Sequence, residues 1–217
     1  MVSNFAVPNL LPGAIANGPD GNVWFTSGDQ IGEVTPTGQF TFFSNGTTGL
    51  GTAITTGSDG NLWYTVSEGS LSFVGRMTPT GQVTLFSRPG VAISDGIVTG
   101  PDGALWVTGS SLTSQHCGVV PLNRALCGVI IRITPSGSMT IFTDPKHTMT
   151  SLDQIAVGPD GALWFAEGFP TRWLGRMTTS GQVTAYSPAG LSLQNGVAAG
   201  RYPIADPPAM RALLAVG

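Results

Sequence analysis

Few side chains in this chain can do chemistry. Among 217 residues there are 12 Asp and Glu, 9 Lys and Arg, and 2 His. Four of the aspartates stand in one recurring setting: Asp20, Asp59 and Asp102 in Gly-Pro-Asp-Gly or Gly-Ser-Asp-Gly, and Asp160 in Gly-Pro-Asp-Gly. Pro presets φ for the first central turn position and Asp-Gly favours a positive φ, so these read as turn residues. A calcium loop would need several alternating oxygen ligands, and the flanking residues do not supply them. His116 and His147 fall in connecting segments, where side chains are mostly at the surface. Cys117 and Cys127 are ten positions apart and are the only cysteines. A local disulfide closing one loop is the leading reading, and two free thiols are the alternative. A structural zinc site wants four ligands, and only His116 is near.

The elements that hold these residues repeat. The turn aspartates follow one another at intervals of 39, 43 and 58 positions, and each is followed by an apolar strand with a tryptophan: Trp24, Trp63, Trp106 and Trp164. A second motif comes next, a strand entering a Thr-Pro-x-Gly turn: Ile31 to Gly38, Val74 to Gly81, Ile130 to Gly137, and Leu174 to Gly181 with Thr179 in place of Pro. A further strand leaves each of these turns, and a short apolar segment precedes each Asp-Gly turn. That makes four strands per repeat of about 40–50 residues, the length of one propeller blade. The reading is an all-β protein, a β-propeller of four-stranded antiparallel blades with four full repeats and a partial fifth. It spans residues 1–217 as one domain, with a truncated larger propeller as the alternative, and residues 109–128 are an inserted loop in the third blade. Asn195 to Gly200 opens a fifth first strand, and Ala209 to Gly217 has helix-forming composition. The repeated tryptophans are expected between blades, as core.

Composition excludes some classes. Net charge is −3 and charged residues are 10% of the chain, so there is no basic patch for nucleic acid. No apolar run is long enough for a membrane helix. Residues 1–5 lack a signal peptide's basic start and apolar stretch. The cysteine pair and low charge lean toward an exported protein, secreted or periplasmic, with a cytoplasmic location as the alternative.

Gly-Pro-Asp-Gly-x-Leu-Trp-Phe followed by Ile-Gly-Arg-Ile-Thr-Pro-x-Gly closely resembles the virginiamycin B lyase (streptogramin B lyase) family of seven-bladed propellers. The likeness runs from about residue 4 to residue 200. It implies an enzyme that linearises a cyclic depsipeptide by elimination, with magnesium, a histidine base and glutamates in the central channel. The histidine's slot, five positions before the turn glycine, holds Gly13, Thr52, Asp95, Asp153 and Asn195 here. The glutamate slot closing the Trp strand holds Ser27, Val66, Gly109 and Glu167, so only Glu167 matches.

First strands of a propeller line its axis. Thr52, Asp95, Asp153 and Asn195 are therefore expected as a ligand-binding set, with Glu167 one strand outward. Asp95, Asp153 and Glu167 are oxygen ligands of the kind that suits magnesium or calcium. If the chain is catalytic, Glu167 or Asp153 is the carboxylate base of a magnesium-dependent carbon–oxygen lyase. Lacking the histidine, the leading expectation is a propeller that binds a small molecule, peptide or protein at its channel face. Self-association through the incomplete fifth blade is a further expectation.

Overall fold

The computed structural model describes residues 12–113, 127–144, 149, 151–167 and 173–186. Sixteen strands form four antiparallel four-stranded sheets, each with its strands in chain order. Blade 1 holds β1 (Pro12–Asn17), β2 (Val23–Ser27), β3 (Gln30–Val34) and β4 (Phe40–Ser44). Blade 2 holds β5 (Leu50–Thr56), β6 (Leu62–Glu68), β7 (Leu71–Met77) and β8 (Val83–Phe86). Blade 3 holds β9 (Val91–Thr99), β10 (Leu105–Ser111), β11 (Cys127–Ile133) and β12 (Met139–Phe142). Blade 4 holds β13 (Leu152–Val157), β14 (Leu163–Glu167), β15 (Leu174–Met177) and β16 (Val183–Tyr186). This is the all-β propeller architecture expected from the repeats. The partial fifth repeat, from Asn195, lies outside the described residues. The chain divides into two compact units, Met1–Ser87 and Arg88–Gly217.

The insertion is narrower than expected. β10 and β11 keep pairing outward through Gly109↔Val129 and Ser110↔Gly128 to Ser111↔Cys127. The two ends of the expected inserted loop, residues 109–111 and 127–128, therefore belong to the blade's strands.

The Asp-Gly turns do more than turn. Gly21, Gly60, Gly103 and Gly161 take positive φ between 72° and 84°. The aspartate one residue earlier accepts the indole N–H of the tryptophan four residues on: Trp24–Asp20 3.1 Å, Trp63–Asp59 3.1 Å, Trp106–Asp102 2.9 Å and Trp164–Asp160 3.1 Å. The buried indole thus has its one polar atom satisfied. Each tryptophan also lies against an aromatic of the fourth strand, stacked on Phe43, Phe86 and Tyr186 and tilted on Phe142. In blades 3 and 4 the arginine opposite the tryptophan completes the set, Arg132 on Asp102 at 2.7 Å and Arg176 on Asp160 at 2.6 Å. Blade 1 has Glu33 in that place, and Asn22 bridges it to Asp20 through one amide nitrogen.

Within each unit the tryptophan face of the earlier blade packs on the later blade. In the first unit Trp24 and Phe43 lie with Ile54, Leu62, Tyr64 and Met77. In the second, Trp106 lies with Ile155, Leu163, Phe165 and Met177. The expected inter-blade role of Trp24 and Trp106 is met. The opposite face of a blade has its own size rule. The residue after tryptophan pairs across to the third strand as Phe25↔Gly32, Tyr64↔Gly75, Val107↔Ile131 and Phe165↔Gly175. A large ring faces a glycine three times, and in blade 3 the small valine faces an isoleucine.

The turn aspartates set an acid limit on stability. Burial pushes Asp102 up, but bonds from the Trp106 indole, Arg132 and the Ala104 N–H outweigh it and hold its carboxyl below the ordinary value. Asp160 is lowered in the same way by Trp164, Arg176 and Ala162, and Asp20 and Asp59 by their own asparagine and tryptophan neighbours. A carboxyl whose folded pKa is depressed contributes stability that is complete above the unfolded pKa, about 4, and is lost as pH falls through the folded pKa. The urea midpoint should therefore fall on acidification below about pH 4. Asp102→Asn should flatten that acid limb, and a midpoint unchanged between neutral pH and pH 3 would contradict the assignment.

Candidate ligand site at the inner-strand bulges

Each blade's first strand is bulged at one place. In blade 1 the register jumps from Pro12↔Ser27 to Ile15↔Phe25, leaving Gly13 and Ala14 opposite Thr26. In blade 2 it jumps from Gly51↔Val66 to Ala53↔Thr65, leaving Thr52 over. In blade 4, Asp153 and Gln154 lie opposite Ala166. In blade 3, Ser94, Asp95 and Gly96 lie opposite Thr108. A bulge turns side chains out of the ladder and is a common device next to binding sites. The sequence-derived slots Gly13, Thr52, Asp95 and Asp153 all fall in these bulges. Asn195, the fifth slot, lies outside the described residues, as do His116, His147 and Cys117. Cys127 opens β11, so the proposed pairing with Cys117 has only one described partner.

A threonine two positions after tryptophan holds the bulge in three blades. Thr26 Oγ1 accepts the Ala14 N–H at 3.0 Å, Thr65 Oγ1 the Ala53 N–H at 3.1 Å, and Thr108 Oγ1 the Gly96 N–H at 3.1 Å. These threonines are wholly or almost wholly buried. The sequence reading passed over them, although Trp-x-Thr in three of four repeats was a visible signal. In the first unit Thr65 also shares a hydroxyl–hydroxyl bond of 2.7 Å with Thr52. In the second, Thr108 reaches the neighbouring blade and donates to the Asp153 carbonyl at 2.8 Å. Blade 4 has Ala166 where the others have threonine, so its bulge is braced from outside by Thr108.

That brace sets Asp95 and Asp153 side by side. A Cβ on Gly96 would fall 2.5 Å from the Asp153 carbonyl oxygen, so the two bulges touch at backbone level. Gln154 Nε2 donates to the Asp95 carbonyl at 3.5 Å. Asp95 is exposed and Asp153 half-buried. Burial first, and then the charge of Asp95, raise the Asp153 carboxyl above its ordinary value. The pair offers two carboxylates at the rim of the second unit, one of them biased toward holding its proton.

Glu167 closes β14, one strand outward from the first strand of blade 4. It is buried in β14, its Oε1 accepts the Ser151 N–H at 2.9 Å, and its own N–H donates to the Trp173 carbonyl at 3.0 Å. It ties the start of β13 to the end of β14. Among the described residues no three His, Cys, Asp or Glu side chains are grouped to hold a metal. Asp95, Asp153 and Glu167 are therefore not gathered into one three-residue cluster among the described residues. Asp95 and Asp153 supply two carboxylates, and magnesium held through so few protein ligands completes its octahedron with water.

Comparison with known proteins agrees with this architecture. The structure of a catalytically inactive variant of virginiamycin B lyase from Staphylococcus aureus with quinupristin is 29% identical, with a TM-score of 0.64 over 84% of this chain and 57% of that one. The selenomethionine-substituted lyase from the same organism is 28% identical, with a TM-score of 0.68 over 88% and 61%. A protein of unknown function from Bacteroides caccae, 14% identical with a TM-score of 0.55 over 84% and 62%, shares the fold. This chain thus spans about three-fifths of the length of the lyases it matches. Against curated protein sequences it has no match. The model of the virginiamycin B lyase family matches residues 1–115, more than half of the chain, and together with the four blades it places the chain in that family.

Proposed function

We propose that this chain is a ligand-binding propeller of the virginiamycin B lyase family, with its binding groups on the first-strand bulges. The observation that carries this reading is the juxtaposed pair Asp95 and Asp153, held by Thr108 at the place where the family resemblance puts its histidine. Carboxylates there take N–H or O–H donors, or a cationic group, of a small molecule or peptide. Imidazole suits proton abstraction near neutral pH, and no described slot contains one. A half-buried aspartate with a raised pKa is the nearest substitute, which gives a second reading: a carbon–oxygen lyase with Asp153 as base. In that reaction Asp153 takes the proton α to a carbonyl, the ester C–O bond breaks to a carboxylate, and a carbon–carbon double bond forms. The linear product is then an isomer of the ring.

Quinupristin is the probe, titrated calorimetrically into the whole chain, with the mixture then chromatographed. Binding without ring opening is expected, weakened about tenfold by the combined Asp95→Asn and Asp153→Asn change. Appearance of an isomeric linear product, lost in Asp153→Asn alone, would replace the binding reading by the lyase. Absence of binding would remove cyclic depsipeptides as the ligand class.

A further inference from the structure

Blade 1 closes its belt of Trp and Asp without an arginine. The residue paired across from tryptophan is Arg76, Arg132 or Arg176 in blades 2 to 4, and Glu33 in blade 1. Arg132 and Arg176 each bond the turn aspartate, and Arg76 lies over the Trp63 ring. No Lys or Arg precedes Arg76 anywhere in the chain, so residues 1–75 offer this belt no cationic side chain. Glu33 and Asp20 share Asn22 instead, whose Nδ2 donates to both. Two carboxyls so close hold a proton between them in preference to two negative charges, and they titrate as a pair. The hydrogen bonds decide where that proton rests. Asp20 accepts three N–H groups, the Asn22 backbone, the Asn22 amide and the Trp24 indole, all of which favour its ionised form. Among the described residues Glu33 accepts one N–H, that of Asn22. The proton therefore belongs to Glu33 and is donated to Asp20.

Burial pushes the Glu33 carboxyl above its ordinary value; the Asn22 bond opposes this, and Asp20 adds to the rise. Burial acts on Asp20 too, but bonds from Asn22, Trp24 and Glu33 outweigh it. The other titratable side chain of blade 1, Asp29, stands on the β2–β3 hairpin at the far end of β2, and β1, β2, β4 and β5 carry none. We propose that Glu33 is a proton-operated latch on blade 1: protonated, it bonds Asp20 in the part that Arg132 and Arg176 play in blades 3 and 4, and on ionising it loosens the turn that holds the Trp24 indole. A carboxyl raised in the folded chain contributes stability that is complete below the unfolded glutamate value, about pH 4, and is lost as pH rises through the folded value. Asp20, held below its ordinary value, acts in the opposite direction at lower pH. The belt of blade 1 is therefore tightest in mildly acid solution. Trp24 packs with Ile54, Leu62 and Met77 of blade 2, so the latch sets how firmly the two blades of the first unit are seated. It lies at the end of β1 away from the bulge and does not depend on the ligand reading.

Hydrogen exchange of the Trp24 indole tests it, read by NMR on the whole chain and corrected for the intrinsic pH dependence of exchange. Between about pH 7 and about pH 5 the indole should become several-fold better protected. Glu33→Gln keeps a donor and removes the charge, and Glu33→Arg installs the residue of blades 3 and 4. Both variants should hold the indole protected at either pH. A parent chain whose Trp24 protection is the same across this interval overturns the latch. So does a Glu33→Gln chain whose Trp24 protection still rises on acidification as in the parent.

Discussion

Gly175→Ile should cost the second unit about 3 kcal/mol, and the loss should be largely recovered when Phe165→Val is added. A Cβ at position 175 falls 2.1 Å from the Phe165 ring, so the ring must leave its seat against β15. A well-packed interior gives little, and overpacking by several carbons forces off-rotamer side chains or backbone shifts. The recovery is expected because the chain already contains the swapped pair: Val107 faces Ile131 in blade 3 where Phe165 faces Gly175 in blade 4. Phe165→Val alone should cost about 2–3 kcal/mol by leaving a cavity. The measurement is a double-mutant cycle by urea titration, followed through hydrogen exchange of the β14 and β15 amides. A favourable coupling of about 2 kcal/mol or more is expected. Losses that simply add would mean that the two positions do not share one volume.

The second large effect concerns Thr108. Thr108→Val keeps the shape of the side chain but removes a hydroxyl that accepts from Gly96 and donates to the Asp153 carbonyl. Two buried or half-buried backbone groups lose their partner, at about 1–3 kcal/mol each. A total near 3 kcal/mol is expected, together with release of the blade 4 bulge, which has Ala166 in place of its own threonine. Thr108→Ser should restore most of it. The side-chain carboxyl of Asp153, followed by carbon NMR, supplies a reading that bulk stability does not: its titration should drop toward the ordinary aspartate value once the bulges separate, and return in Thr108→Ser. An Asp153 titration unmoved by Thr108→Val would show that the hydroxyl does not set the acid pair.

The blades were legible because their signals are local: a turn every repeat, a tryptophan at a fixed offset, a glycine where φ must be positive. The slots at 13, 52, 95 and 153 were legible as positions, since counting back from the turn glycine fixes them. Their geometry was not, because a bulge is a mismatch between two strands and neither strand declares it alone. Glu167 shows the same limit. Its match to a glutamate slot is visible by counting, whereas its bond from the Ser151 N–H emerges only when β13 and β14 are brought together. The turn aspartates were read as loop formers for a sound reason, but their second bond to an indole required knowing where the tryptophan ring points.

The bulge of blade 3 contains one residue more than those of the other three, and nothing beyond it is displaced. Leu105↔Thr99, Trp106↔Val98 and Val107↔Ile97 stay in step, as do the Asp102–Trp106 and Arg132–Asp102 bonds. Insertions at the inner rim are thus absorbed within a single gap and do not reach the belt of Trp, Asp and Arg that keeps a blade folded. Glycine, threonine and two aspartates at the four equivalent slots accordingly stand on one and the same Trp-centred frame.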